Sequence, residues 1–191
     1  GFAFLLMTDL ASVENIRLVE RVKLQALVEE LDLGASGLVE KDTAPRVGKL
    51  LGASYLVGGD LQGGKASELG VQSDLLQVKD QSSLGKPSAE GQLDQVFDLE
   101  KQVLFGLIDL LKVKLTPEQK VRLKQPLTTN YRAFISLCQG LEASDRGNYN
   151  GAAAHYQQSL ALDPQFQPAK NALGELQGLG LVPVDPRSHA I

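Results

Sequence analysis

Cysteine, histidine and tryptophan are almost missing from this chain, and each scarcity removes a class of chemistry. Of 191 residues one is cysteine, two are histidine and none is tryptophan. The lone Cys138 rules out an internal disulfide framework, and its place between Leu137 and Leu141 reads as a small apolar group in a helix. A zinc site needs about four convergent ligands. His155 has no Cys or His at ligand spacing and His189 lies in a tail, so no metal is expected. No run of 18 apolar residues occurs, so no segment reads as a membrane-spanning helix. Positive charge is not in excess either: 19 Lys and Arg face 23 Asp and Glu, a net −4 scattered along the chain. A nucleic-acid surface needs a basic stripe, and nucleic acid is not an expected partner.

Nucleotide-binding signatures are absent as well. The glycine pairs at 58–59 and 63–64 are not followed by Lys-Ser/Thr, and no G-x-G-x-x-G opens a helix. They read as strand and turn geometry, and no cofactor is expected. Asp185, Ser188 and His189 have the residue types of a hydrolytic triad, but a tail cannot hold them in register. Glu29, Glu30 and Asp32 cluster near a helix end and read as a solvated face.

What remains is a composition of 43% hydrophobic and 22% charged residues, close to globular averages and enough for a core. The length suits one large domain or two small ones. The chain opens inside an apolar pattern, FAFLLMTDL, and is read as a trimmed or processed piece. Membrane contact is therefore expected only through an amino-terminal anchor upstream.

Along the chain, Phe2 to Leu10 reads as the end of a mostly buried helix whose only polar face is Thr8 and Asp9. Ile16 to Glu20 is a short strand candidate. Leu24, Leu27, Val28 and Leu31 have the i, i+3, i+4, i+7 spacing of an amphipathic helix that Gly34 stops. A second helix is expected from Asp42 or Thr43 as cap, with Pro45 in its first turn and Gly52 at its end. Ser54 to Leu61 is strand-like, Gly63-Gly64 a hairpin turn, and Leu69, Val71 and Leu75 alternate along the return strand. A third strand is expected near Leu84 to Gln92, with Pro87 confining it to an edge or bulge. Asp94 is expected to cap a long helix carrying Val96, Leu99, Val103 and Leu107 on one face and Phe97, Leu104, Ile108 and Leu111 on the adjoining one. The expected fold class is α/β, a mixed sheet with flanking helices, followed by an all-α helical hairpin. The expected divisions are 1–113 for the α/β domain, 114–129 for a connector helix opened by the capping box Thr116-Pro117-Glu118-Gln119, 130–178 for the helical hairpins, and 179–191 for a Gly/Pro-rich tail.

Within GNYNGAAAHYQQSLALDP, Ala152, Tyr156 and Leu160 recur every four residues and Asp163-Pro164 ends the helix. Alanines suit a close helix crossing, and the tyrosine fills the gap beside them. With Pro164 as terminal proline, Gly140, Ala152, Tyr156 and Pro164 fall at four positions of a 34-residue repeat. This segment resembles a tetratricopeptide repeat, and Leu173-Gly174 begin a second one. Ser136 and Gln139 stand where a large aromatic and a leucine are usual, and Ser159 where alanine is usual. The resemblance implies a concave face presenting Phe134, Leu137, Leu141, Ser144 and Asp145. That face would be either a partner groove or an internal docking surface, the second being preferred for so few repeats.

The preceding part, LVERVKLQALVEELDLGASGLVEKDTAPRVGKLLGASYLVGGDL, resembles the domain shared by CsgG-like proteins of bacterial envelopes and TolB-amino-domain-like proteins. The strand-then-ER helix start, the Ser36-Gly37-Leu38 link, the Gly48-to-Val57 unit and the later LDQVFDLE helix start carry the likeness, over roughly residues 3 to 112. The long hairpins of a membrane pore are missing, so a pore is not expected. The resemblance implies a non-enzymatic scaffold or assembly protein of the periplasm or cell envelope, binding protein partners through its helices or a sheet edge and able to form homo-oligomers. The alternative is a cytoplasmic TolB-like regulatory module of a larger signalling protein. An enzyme ranks last, and would need a pocket joining Asp60 and Asp74.

Overall fold

A computed structural model describes residues 1–19, 27, 44–63 and 67–184. The chain forms two compact units, one of residues 9–125 and one of residues 1–8 together with 126–191. Residues 1–8, grouped with the sheet in the sequence-based division, thus pack with the carboxyl-terminal helices. Gly1 lies against the Phe134 ring and the Cys138 sulfur.

Helix α1 spans Phe2–Ala11, and its apolar run buries Phe2, Phe4, Leu5, Leu6 and Leu10. The strand expected from Ile16 is not there: Ile16 to Val19 form neither strand nor helix, and Glu20 lies outside the described residues. The Ile16 N–H is instead spent in a turn on the Val13 carbonyl. The expected helix at 24–31, its Gly34 stop and the Asp42 or Thr43 cap also fall outside the described residues, save that Leu27 is helical. Helix α2, Ala44–Leu50, ends in paired bonds from Gly52 N to Lys49 O and from Ala53 N to Gly48 O. This is the glycine-terminated arrangement that satisfies the last helical carbonyls.

The sheet is built from β1 (Tyr55–Gly63), β2 (Glu68–Gln77), β3 (Ser82–Gly85) and β4 (Ser88–Gln92). The β1–β2 hairpin runs in unbroken register from Tyr55 opposite Gln77 to Gly63 opposite Leu69. The expected third strand is two strands, both paired with β2, because Pro87 has no N–H to donate at the break. Its carbonyl accepts from both the Ser73 N–H and the Ser73 hydroxyl, at 2.9 Å each. All ladders among the described residues are antiparallel, so the described sheet is not mixed. The physical reason is connection length: consecutive strands joined by tight turns can only return antiparallel.

Alternation along β2 buries Val71, Ser73 and Leu75 on one face. Helix α3, Val96–Leu110, covers that face and buries Val96, Leu99, Val103, Leu104, Leu107 and Ile108. It runs along β4 and β3, Leu99 over Gly91, Gly106 over Pro87 and Leu110 over Gly85. Asp94 is not its cap. A single 3₁₀ turn, Leu93–Gln95, precedes the helix, and the Gln92 N–H donates to Gln95 Oε1 at 2.9 Å. Helix α4, Pro117–Lys124, starts on the expected capping box: Gln119 N donates to Thr116 Oγ1 and Thr116 N to Gln119 Oε1. Three helices complete the other unit: α5 (Tyr131–Asp145), α6 (Tyr149–Leu162) and α7 (Gln167–Gly178).

Candidate protein-interaction site

The α5–α6 pair is an antiparallel hairpin whose turn is set by Gly147 at φ +74°. There the Gly147 N–H bonds Ser144 O and the Asn148 N–H bonds Ala143 O, closing α5. Asn148 then caps α6 through its side-chain oxygen and the Gly151 N–H, 3.0 Å apart. The helices cross at Gly140, where a Cβ would stand 2.4 Å from the Tyr156 ring and 3.2 Å from the Ala152 carbonyl oxygen. Ala152 and Tyr156 are buried there. So Gly140, Ala152 and Tyr156, picked out from the repeat pattern, meet at one crossing.

At the far end, side chains that the repeat pattern does not predict stitch α5 to α6. The Asn130 side-chain oxygen accepts from Arg132 N and Ala133 N, and its amide nitrogen donates to Leu162 O at 2.9 Å. Thr128 donates to Asp163 Oδ2 at 2.6 Å while accepting from Asn130 N. Ser159 donates its hydroxyl to the Ala133 carbonyl at 2.7 Å inside the interface. A hydroxyl so placed is satisfied without widening the crossing. The T-x-N spacing before α5 was the available signal for this clasp.

Past Asp163-Pro164 the chain enters α7, with Phe166, Ala169, Ala172 and Leu176 buried. Leu173 is half-buried. Gly174 is exposed, with nothing within 4 Å of where its Cβ would be. Lys170, Asn171 and Gly174 form an outward polar face on α7.

Of the residues expected on a concave face, Phe134, Leu137 and Leu141 are 6, 0 and 5% exposed, so they offer no open apolar groove. Ser144 is half-buried and Asp145 lies at the surface. Outward-facing apolar groups on the same helix are Tyr131 and Ile135, one turn apart. Cys138 is half-buried, and burial pushes its thiol above the ordinary value. His155 is half-buried, and no group of three potential metal ligands occurs among the described residues. His189, with Asp185 and Ser188, lies outside them.

In the sheet unit, β1 pairs with β2 alone among the described strands, and Tyr55, Val57 and Leu61 of one β1 face are exposed. Asp60 and Asp74 share the opposite face. Asp74 accepts from Ser83 Oγ at 2.5 Å and lies 3.7 Å from Lys86 Nζ. The sequence reading missed the most unusual polar group in this unit. Asp9 on α1 is buried and pairs with Lys101 on α3, whose Nζ also lies 3.1 Å from Glu100 Oε2. Burial raises the Asp9 carboxyl against the lowering influence of Lys101. Burial, with Asp9 adding to it, pushes Glu100 up to about 8. The signal was present: Glu100 precedes Leu104 by four and Leu107 by seven residues, on the apolar stripe.

Among the described residues, no helix is long and apolar enough to cross a membrane. No curated protein and no solved structure matches the chain. Residues 1–63, from α1 through the end of β1, match the family model described as curli production assembly/transport component CsgG, so the first third of the chain is similar to that family.

Proposed function

We propose that this chain is a non-enzymatic scaffold of the bacterial cell envelope, a CsgG-like assembly or transport component that engages protein partners through its carboxyl-terminal helices. The single observation that carries the reading is the family match over residues 1–63, whose description is of assembly and transport and not of catalysis. The crossing at Gly140, Ala152 and Tyr156 supports a tetratricopeptide character for the hairpin. The 34-residue spacing from Gly140 to Gly174 supports a second, partial repeat. Stacked repeats end in a helix with a polar outer face, and α7 with Lys170, Asn171 and Gly174 outward has that character. On this reading the module is one repeat closed by a capping helix, and α5 and its turn supply the docking surface. The edge of β1 that no described strand covers is a second surface at which a partner strand or another copy would pair.

The test is photo-crosslinking in cells. A photoreactive residue placed at Tyr131, Ile135 or Ser144 of the full-length protein should give discrete protein adducts that fractionate with the envelope. Adducts found only in the cytosol would replace this reading with the TolB-like regulatory module. No adduct from any of the three positions would remove the docking role.

A further inference from the structure

Lys101 sits between two carboxyl groups, Asp9 of α1 and its own neighbour Glu100, and all three side chains are withdrawn from solvent. One ammonium cannot neutralise two buried carboxylates, and an uncompensated buried charge is strongly destabilising. A group in that position keeps a proton instead of its charge. Lys101 Nζ pairs with Asp9 and lies 3.1 Å from Glu100 Oε2, so the two carboxyl groups flank one ammonium and a proton on either completes the neutralisation. Glu100 is 2% exposed at its side chain, and its Oε1 has no hydrogen-bond partner among the described residues, as expected of a carboxyl that is not carrying a full charge.

We propose that Asp9, Glu100 and Lys101 form a proton-tightened latch fastening the carboxyl-terminal end of α1 to α3, in which one proton held by the carboxyl pair completes the neutralisation begun by the ammonium. Among the described residues, the other charge acting on the cluster is Arg122 of α4, which lowers Asp9 and donates from Nη2 to the Ser12 carbonyl at 3.0 Å. From the sheet, β2 and β4 turn Val71, Ser73, Leu75 and Ala89 toward α3, whereas alternation puts Asp74 and Glu90 on the opposite face. No charge on a described strand therefore substitutes for the proton.

The sign of the effect follows from linkage. Glu100 titrates at about 8 when the latch is closed and near 4.5 when it is open. Opening within that window releases a proton, so the opening equilibrium rises by roughly tenfold per pH unit and levels off above it. Asp9 is shifted in the same direction and extends the dependence at the acid end. The latch is tightest in acid and loosens through neutrality.

Two measurements on the full chain test this. Carboxyl-carbon NMR should show Glu100 titrating near pH 8, and amide exchange, corrected for its intrinsic pH dependence, should show protection of residues 9–13 falling as pH rises from 5 to 8. In Glu100→Gln, which keeps the shape without the charge, that protection should be flat over the same range. A Glu100 that titrates near 4.5, a flat wild-type profile, or an unchanged slope in Glu100→Gln would each overturn the latch. The wild-type titration decides the matter even for a variant that does not fold.

Discussion

Gly140 and Gly174 stand 34 residues apart, yet their surroundings are opposite, and two substitutions of the same kind should move stability in opposite directions. At Gly140 a methyl would press on the Tyr156 ring, which is buried and has nowhere to swing, and on the Ala152 backbone. Overpacking of this sort costs about 1–3 kcal/mol, more than the roughly 1 kcal/mol that alanine gains over glycine inside a helix. Gly140→Ala should therefore destabilise. At Gly174 the methyl enters open space, and Gly174→Ala should stabilise by about 0.5–1 kcal/mol. Urea denaturation midpoints of the two variants check this, and shifts of the same sign would break the distinction. The pattern of small residues made the Gly140 crossing readable in the sequence, because spacing alone brings 140, 152 and 156 together in a hairpin. The buried charges were not readable in the same way. Asp9 looks like a solvent-facing residue on an apolar helix until its partner, 92 residues away, is placed beside it.

At the scale of elements, local chemistry set most boundaries and long-range pairing set the rest. The Thr116 capping box was legible because every atom that makes it lies within four residues, and Thr116→Ala should cost about 0.5–2 kcal/mol. Native-state amide exchange would show the loss as fraying of α4, and unchanged protection of Gln119 would contradict it. Ser159 was legible only as a departure from the usual alanine, since its acceptor, the Ala133 carbonyl, belongs to the preceding helix. Ser159→Ala removes that bond while keeping the packing, and should lower stability by about 1 kcal/mol in the same denaturation assay. Two elements differed from the sequence reading for the same reason. Ile16 to Val19 has a strand's composition but pairs with none of the described strands, and a strand without a partner has no ladder to join. The third strand was foreseen with Pro87 as its weak point. Pairing on both sides of the proline, each against β2, made it two strands.

For the whole molecule, the division into two compact units matters more than either unit's details. The sheet unit has the α/β character expected of it, in an antiparallel form, and the residues similar to the CsgG family reach through β1. The likeness foreseen to about residue 112 is thus matched over residues 1–63. The helical unit has its apolar residues turned inward at Phe134, Leu137 and Leu141. A partner would therefore meet the outward side of α5 and its turn, and not a deep groove. Binding by such a surface depends on the hairpin being held rigid, which makes the Gly140 crossing the point where fold and proposed function meet. The most direct measurement is the native mass of the full-length protein released gently from the cell envelope, for wild type and for Gly140→Leu side by side. The scaffold account predicts a wild-type assembly larger than one chain that collapses toward the single-chain mass in the variant. A wild-type protein that runs as a lone chain in the cytosol would contradict it.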